Sequence, residues 1–424
     1  MDKQQLNFTN ETKTTSNESM PRGYKTIRLP CDMDSYKRML NDASFFKTEL
    51  KRVYSAHPQL FPKAFSKGYS MYGFTDPSKK LQFRQRRILL NENKEVYTIA
   101  PCDVMPYMTG FVEDVEKPLF LLRFGTPYWA IAHAFGKDPM YWYRMESAFG
   151  RNSIVGTTVK DPNKLPQHLS ADEKHSWLKG EKVYVATTVC AQSILGVSVC
   201  ENADEISLKK GYSQFQKEAK NISEDYEPTT VNTDGWRATE LAWTSLFSKI
   251  IIICCFLHSF IKIRDRCKKF GDLFFKTCEK VWYAYKAKTK RSFCQRIRRL
   301  KEWGDENTTG LLRDKLLGLC GKVDSFSKAY DHPECHRTSN MIDRLMRWMD
   351  QSFFNAQYFH GSLDSANTRV RSFAILRNFQ PYARSIENNG KETFSAAKSL
   401  NGFAYRDNWL ENLITSTSMA GYRQ

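Results

Sequence analysis

The chain has 424 residues, of which 41% are hydrophobic and 13% aromatic. That content excludes a disordered chain, and the length exceeds what one hydrophobic core usually organises, so two or three domains are expected. Lys and Arg number 64 against 46 Asp and Glu, a net charge of +18, which points to a polyanionic partner, nucleic acid first.

The excess is uneven. From Lys262 to Lys301 there are fifteen Lys/Arg against three Asp/Glu, a net +12. Eleven cysteines follow no framework spacing. With no signal-peptide pattern ahead of them, free thiols in a reducing cytosol are expected. The longest apolar run, "IIIICCFL" from Ile250 to Leu257, is eight residues. A membrane span needs about 20, so the run reads as a buried strand.

In chain order, residues 1–20 are rich in Asn, Thr and Ser and read as a disordered tail. Residues 41–90 mix helical patterns with basic tracts at Lys79-Lys80 and Arg84 to Arg87, and no structure is assigned to them. "PYWAIAHAFGKDPMYWYRMESAFG" (127–150) reads as two short helices. The first runs from about Tyr128 to Phe135 and ends at Gly136 as an αL cap would. Asp138 caps the second, with Pro139 at its first position. The pair makes a helix-turn-helix, whose second helix offers Tyr141, Tyr143, Arg144 and Arg151 to a groove or to phosphates. An αα-hairpin that only packs is the alternative.

From about 168 the pattern turns to sheet. "HLSADEKH" is a short segment ending in acids. "KVYVATTV" (182–189) and "ILGVSVC" (194–200) read as paired strands. Leu208, Tyr212, Phe215 and Ala219 share one face of a helix. Strand "TTVN" with Asp234, a helix over 238–247 and the strand "IIIICCF" follow. Two paired strands, helix, strand, helix, strand is the order of an RNase H-like α/β core. Beyond it the chain reads as basic and helical to about 330. Helices follow at 338–354, 370–379 and 408–414, the last two separated by a polar linker at 387–391.

Cores of that kind place carboxylates at strand ends and on a late helix, where they hold two Mg²⁺ or Mn²⁺ ions for phosphoryl transfer. Asp234 fits a strand-end position, with a turn-forming Asp-Gly as the alternative. Asp172 fits the first position, just before the hairpin, with a loop or cap role as its alternative. Asp103 also ends an apolar stretch, but helices follow it, not a hairpin, and it is set aside. Asp343 fits the late helix, although Asn340 as cap and Asp343 as its capping-box partner would explain it too. Glu334 is the competitor for that role, in a loop-like segment. Cys255 and His258 form a C-x-x-H that lacks further zinc ligands at sensible spacing. His258 is expected beside the acids, hydrogen-bonded to a carboxylate or to a DNA phosphate.

Together "ADEKHSWLKGEKVYVATTV", "TDGWRATELAW", "CCFLHSFIKIRDR" and "HRTSNMIDRLMR" resemble a DDE/D transposase, similar to the Mutator-like superfamily and its bacterial insertion-sequence relatives. The resemblance covers about 168 to 355, and the helix-turn-helix region less closely. It implies Asp172, Asp234 and Asp343 as metal ligands with His258 in the catalytic set, although the family usually carries Glu at the third position. Asp172 and Asp234 lie 62 residues apart, and Asp234 and Asp343 lie 109 apart. A strand, a helix and two loops need only roughly 30–40 residues, so the surplus after Asp234 reads as an inserted helical domain. Its arginines, Arg298 and Arg299 among them, would bind phosphates.

The expected layout is an N-terminal α-helical DNA-binding region over 21–160, an RNase H-like core over 161–261 and 336–380, an all-α basic insertion over 262–335 and a helical tail over 381–424. The expected function is a metal-dependent DNA transposase. It would act on double-stranded DNA, at element ends with terminal inverted repeats and at the target. It would work in the cytoplasm, associated with the nucleoid, as a homodimer or larger assembly without membrane contact. An inactive DNA-binding regulator and a structure-specific nuclease are the alternatives.

Overall fold

The computed structural model of the chain describes residues 23–383 and 395–422. The expected N-terminal tail and the linker at 387–391 lie outside these residues. The fold is mixed α/β, built on two sheets.

The first sheet was not foreseen. Strands β1 (Thr26–Leu29), β2 (Tyr69–Phe74), β3 (Arg86–Leu90) and β4 (Val96–Pro101) run in the order β1-β4-β3-β2, with helices α1 (Met33–Asn41) and α2 (Ala43–Ala56) between β1 and β2. The expectation of an all-helical N-terminal region is therefore corrected. The basic tract misled because Arg86 is a strand residue. Its guanidinium lies over the rings of Phe74 and Phe46, at 4.7 and 5.0 Å, so the charge is held on aromatic faces. Helix α3 (Val112–Leu122) leads to α4 (Tyr128–Phe135) and α5 (Pro139–Ser147), at the expected positions, and the Asp138 side chain caps α5. Gly136 takes φ 72° but ψ −168°, so it is not the expected αL cap; Lys137, at φ 64°, shares the turn. The short helix α6 (Ile154–Thr158) follows, entirely buried.

The second sheet has the order β7-β6-β5-β8-β9. Its strands are β5 (His168–Leu178), β6 (Glu181–Cys190), β7 (Ser193–Cys200), β8 (Thr230–Thr233) and β9 (Ile251–Cys254). β5, β6 and β7 form an antiparallel meander, while β8 runs parallel to β5, and β9 parallel to β8. Helices α7 (Glu205–Ile222) and α8 (Arg237–Leu246) cover one face. All four residues expected on the inner side of α7 are buried, packed with Trp243 and Phe247 around Leu169 and Ala171. The apolar run 250–257 divides between β9 and the helix after it, α9 (Phe256–Arg266).

Four more helices fill the span expected as an insertion: α10 (Asp272–Tyr285), α11 (Lys290–Asn307), α12 (Gly310–Cys320) and α13 (Val323–Ser327). With α9 they share their own core, in which Phe260, Ile263, Val281, Phe293, Ile297, Leu300, Leu312 and Leu316 are buried. Its border falls at the start of α9, ahead of the expected 262. The chain returns through α14 (Asn340–Phe354) and α15 (Leu363–Phe379), which pack on the opposite face of the second sheet with α3 and α5.

The C-terminal segment is not a tail. Its helices Ala396–Asn401 and Trp409–Ser416 are followed by Met419, which is buried in the core of the first sheet. The Ser418 hydroxyl accepts the Arg28 N–H at 3.0 Å and donates to the Leu60 carbonyl at 2.7 Å. The last described residues thus tie the two sheets together. Among the described residues no helix is long and apolar enough to cross a membrane.

Candidate metal centre

Side chains alternate across a strand, and β5 divides its acids accordingly. Leu169, Ala171 and Glu173 face α7 and α8, while Asp172 and Lys174 face α14. Asp172 precedes the β6–β7 hairpin, as expected, but its segment is itself a strand, β5, in which it is paired with Thr187 of β6. On its other side β8 pairs only as far as Ser170 with Asn232. Asp172 therefore lies two residues past the last β5–β8 pair, level with Asp234. An acid within a strand becomes reachable where the neighbouring strand stops.

Helix α14 brings Asp343 to this face. Lys174 pairs with Asp350, two turns further along the helix, at 3.6 Å, while Ile342, Leu345, Met346 and Met349 are buried. The capping-box account of Asp343 fails on register: Ser339, not Asn340, precedes the first helical residue, and it makes no side-chain cap to a backbone N–H. Instead its hydroxyl donates to Asp343 Oδ2 at 3.0 Å and lies 3.2 Å from His258 Nδ1. His258 arrives from the sheet: the Cys255 N–H donates to the Thr233 carbonyl at 2.7 Å beyond the β8–β9 pairing, and His258 follows in the first turn of α9. Ligand atoms of Asp172, His258 and Asp343 all lie within 4.8 Å of one another.

Burial pushes the Asp172 carboxyl up to about 7, helped by Glu173 and Asp234 and opposed by His258. The hydrogen bond with Cys255 holds His258 up at about 9, against burial and with Asp172 and Asp343 assisting. Burial opposes ionisation of Cys255, but its hydrogen bonds with His258 and Ser339 outweigh that and lower its pKa. An imidazole that is protonated at neutral pH is a poor metal ligand. The donor set is then two carboxylates beside a cation, which suits a hard divalent ion bound through oxygen.

Asp234 stands outside the three-residue group. Its Oδ1 accepts the Trp236 N–H at 2.7 Å, so the turn role is real. Gly235 is required there: its φ is +85°, and a Cβ would meet Cys254 Sγ at 3.0 Å and Lys322 Nζ at 3.1 Å. Asp234 nevertheless sits close enough to raise both Asp172 and Glu173. Glu334 is exposed and acts on His168, the first residue of β5, away from Asp343. Asp103 belongs to the first sheet's unit, where it accepts the Met33 N–H at 2.7 Å and groups with Cys102 and Glu411.

Two residues escaped the sequence reading. Ser339 carried no signal beyond lying next to Asn340. Glu173 did carry one, since adjacent acids on a strand must point to opposite faces. It accepts the hydroxyls of Tyr212 at 2.6 Å and Thr239 at 2.8 Å.

The residues expected to contact DNA from α5 and just beyond it divide. The Tyr141 hydroxyl donates to the Thr109 carbonyl at 3.4 Å, and that of Tyr143 lies 3.0 Å from Ser365 Oγ. Both hydroxyls thus have partners within the protein. Arg144 and Arg151 are exposed, the latter over the Tyr107 ring at 5.5 Å. Arg298 and Arg299 are exposed on α11, with Glu302 at 3.7 Å from Arg298. Compared with known proteins, the chain matches no family model and no curated protein.

Proposed function

We propose that the chain is a DDE/D-type DNA transposase that cleaves strands at element ends and joins them to target DNA, with an RNase H-like core as its catalytic unit. The observation that carries this reading is the meeting of Asp172, His258 and Asp343, from a central strand, the helix after β9 and a helix whose Asp343 lies 171 residues beyond Asp172, within 4.8 Å. The sheet order supports it: a three-stranded meander followed by two strands parallel to the first. A helical insertion with its own core, placed between β9 and the helix of the third acid, supports it too.

Asp172 and Asp343 would hold the cation, with Asp234 at the lip of the sheet as the partner for a second one. When bound, Mg²⁺ or Mn²⁺ supplies charge neutralisation at the phosphate and a more acidic water. The protein's own work is placement. The sheet fixes Asp172, Ser339 links His258 to Asp343, and the protonated imidazole adds positive charge where a phosphate would sit. Water attack on the end phosphate breaks its bond to the 3′ oxygen and leaves a 3′-OH and a 5′-phosphate; the 3′-OH then attacks a target phosphate, breaking that phosphate's bond to the target 3′ oxygen, which leaves as a new 3′-OH. The basic insertion would hold duplex by its phosphates.

The test uses duplex carrying the DNA that flanks the gene. Wild-type protein should nick it in Mg²⁺ at the element ends. Asp234→Asn should abolish nicking with binding retained. Asn keeps the oxygen that accepts the Trp236 N–H, so the loss reports charge and not the turn. Nicking at wild-type rate by Asp234→Asn overturns the reading.

A further inference from the structure

A cavity of about 610 Å³ opens between α4–α5 and the junction of α14 with α15. Tyr128 and Tyr143 stand edge to face in its wall, with ring centroids 5.7 Å apart, and Trp129 is 69% exposed at its rim. At its base lie the buried Glu146 carboxyl, which accepts the Tyr128 hydroxyl, and Arg369, whose Nη1 donates to the Tyr358 carbonyl at 2.9 Å. Nothing in the metal centre uses these groups.

We propose that this cavity receives an unstacked nucleobase of the DNA whose backbone is cut at the metal centre, an assignment that rests on the transposase reading. Three observations favour that occupant. The walls offer aromatic faces, which stack on any base for about 1–3 kcal/mol. The floor offers a carboxyl group and a guanidinium together, a pair that suits a neutral ring with donors and acceptors along its edge; a phosphate would meet Glu146 unfavourably. The third observation is position. Exposed Arg344, Arg347, Gln351 and Asn355 follow one another at i+3 and i+4 along α14, starting beside Asp343 and ending at the cavity, which Asn355 lines. A helix rises 1.5 Å per residue, so the twelve positions from Asp343 to Asn355 span roughly 18 Å. That is about five steps of a strand at 3.4 Å each. The stripe therefore leads a backbone from the acids to the cavity over a few nucleotides. Unstacking costs least near a nick or a single-stranded end, which is the DNA such an enzyme creates.

The experiment uses the full chain and a duplex with a single-stranded thymidine tail, its thymines replaced in turn by 5-iodouracil. Photocrosslinks are expected in the peptide spanning 127–151. Trp129→Ala, a surface change, should weaken the tailed duplex about 10-fold and leave blunt duplex binding unchanged. Glu146→Gln should alter the order of preference among thymidine, cytidine and adenosine tails, which a merely structural role would not do. Crosslinks confined to other peptides, or equal losses on tailed and blunt duplex in Trp129→Ala, overturn the proposal while leaving the transposase reading intact. Failure to bind either duplex overturns both.

Discussion

Asp172 and Glu173 are neighbours on one strand, each buried enough to raise its pKa, and they face opposite sides of the same sheet. On the α7–α8 side Glu173 accepts two hydroxyls, from Tyr212 and Thr239. On the α14 side Asp172 has the Glu173 N–H at 2.8 Å and otherwise meets ionisable groups, His258 and Asp343. A buried carboxyl whose oxygens are satisfied by neutral donors contributes to the fold. One surrounded by other acids and a cation is costly as it stands and is explained by what it would bind. The Cys102, Asp103 and Glu411 group lies between the two cases: Asp103 accepts the neutral Met33 N–H, while Glu411 is already paired with the Arg406 guanidinium at 2.7 Å.

The contrast breaks most visibly in activity. Asp172→Asn should reduce Mg²⁺-dependent nicking by more than the roughly 10–100-fold that groups behind metal ligands carry. Glu173→Gln, one residue away, should retain activity within a few-fold. Equal loss in both variants, measured on folded protein, would show that the two faces are not distinct.

Stability should respond in the opposite sense. Glu173→Ala strands the buried Tyr212 hydroxyl and removes packing between β5 and α7, at a cost of about 2–3 kcal/mol. Asp172→Asn removes a carboxyl that burial disfavours when charged, and should be neutral or stabilising without metal. Chemical denaturation of the two variants measures both. A Glu173→Ala protein as stable as wild type would remove its structural role.

The pH dependence sharpens the difference further. The Asp172 carboxyl rises from 3.8 to about 7 on folding, and His258 from 6.5 to about 9. Each raised value means that the folded state favours the protonated form. The stability so gained is fully present below the ordinary values and is lost as pH rises through about 7 and then about 9. Cys255, whose lowered pKa acts in the opposite sense, offsets the His258 loss, so metal-free Tm should fall mainly between pH 5 and about 7. Mg²⁺ needs the carboxylate, so the Tm increase it causes should grow as pH passes about 7. Asp172→Asn should abolish that increase. A Mg²⁺ effect that is independent of pH would mean that the ion binds elsewhere.

Sequence patterns reached the second sheet well because its edges are written locally. The β-branched runs ending at Cys200, Thr233 and Cys254, and the Asp-Gly turn, need only neighbours to read. The first sheet was missed because its strands are four to six residues long and one begins at Arg86. The burial of Arg86 depends on Phe46 and Phe74, distant in sequence. The C-terminal clasp was invisible for the same reason, since Ser418 meets Arg28 across 390 residues. Asp172, His258 and Asp343 were legible as candidates by residue type and order, but Ser339, which links two of them, is one hydroxyl in a polar loop.

That link offers the finest test of the comparison. Ser339 Oγ lies between His258 Nδ1 and Asp343 Oδ2, and its backbone N–H donates to Cys255 Sγ at 3.2 Å. Among the described residues nothing comparable joins Glu173 to a cation. The hydroxyl orients Asp343 and keeps the imidazolium from collapsing directly onto that carboxylate. Ser339→Ala leaves the backbone contact to Cys255 and the helix start intact but cuts the link between Asp343 and His258, which Cys255 still holds. Nicking should fall about 10-fold, the low end of what outer groups contribute, with Tm nearly unchanged. Ser339→Thr restores the hydroxyl and should recover most of the rate. If Ala and Thr variants nick equally well, the hydroxyl does not position Asp343, and the α14 face of β5 works through Asp172 and the helix register alone.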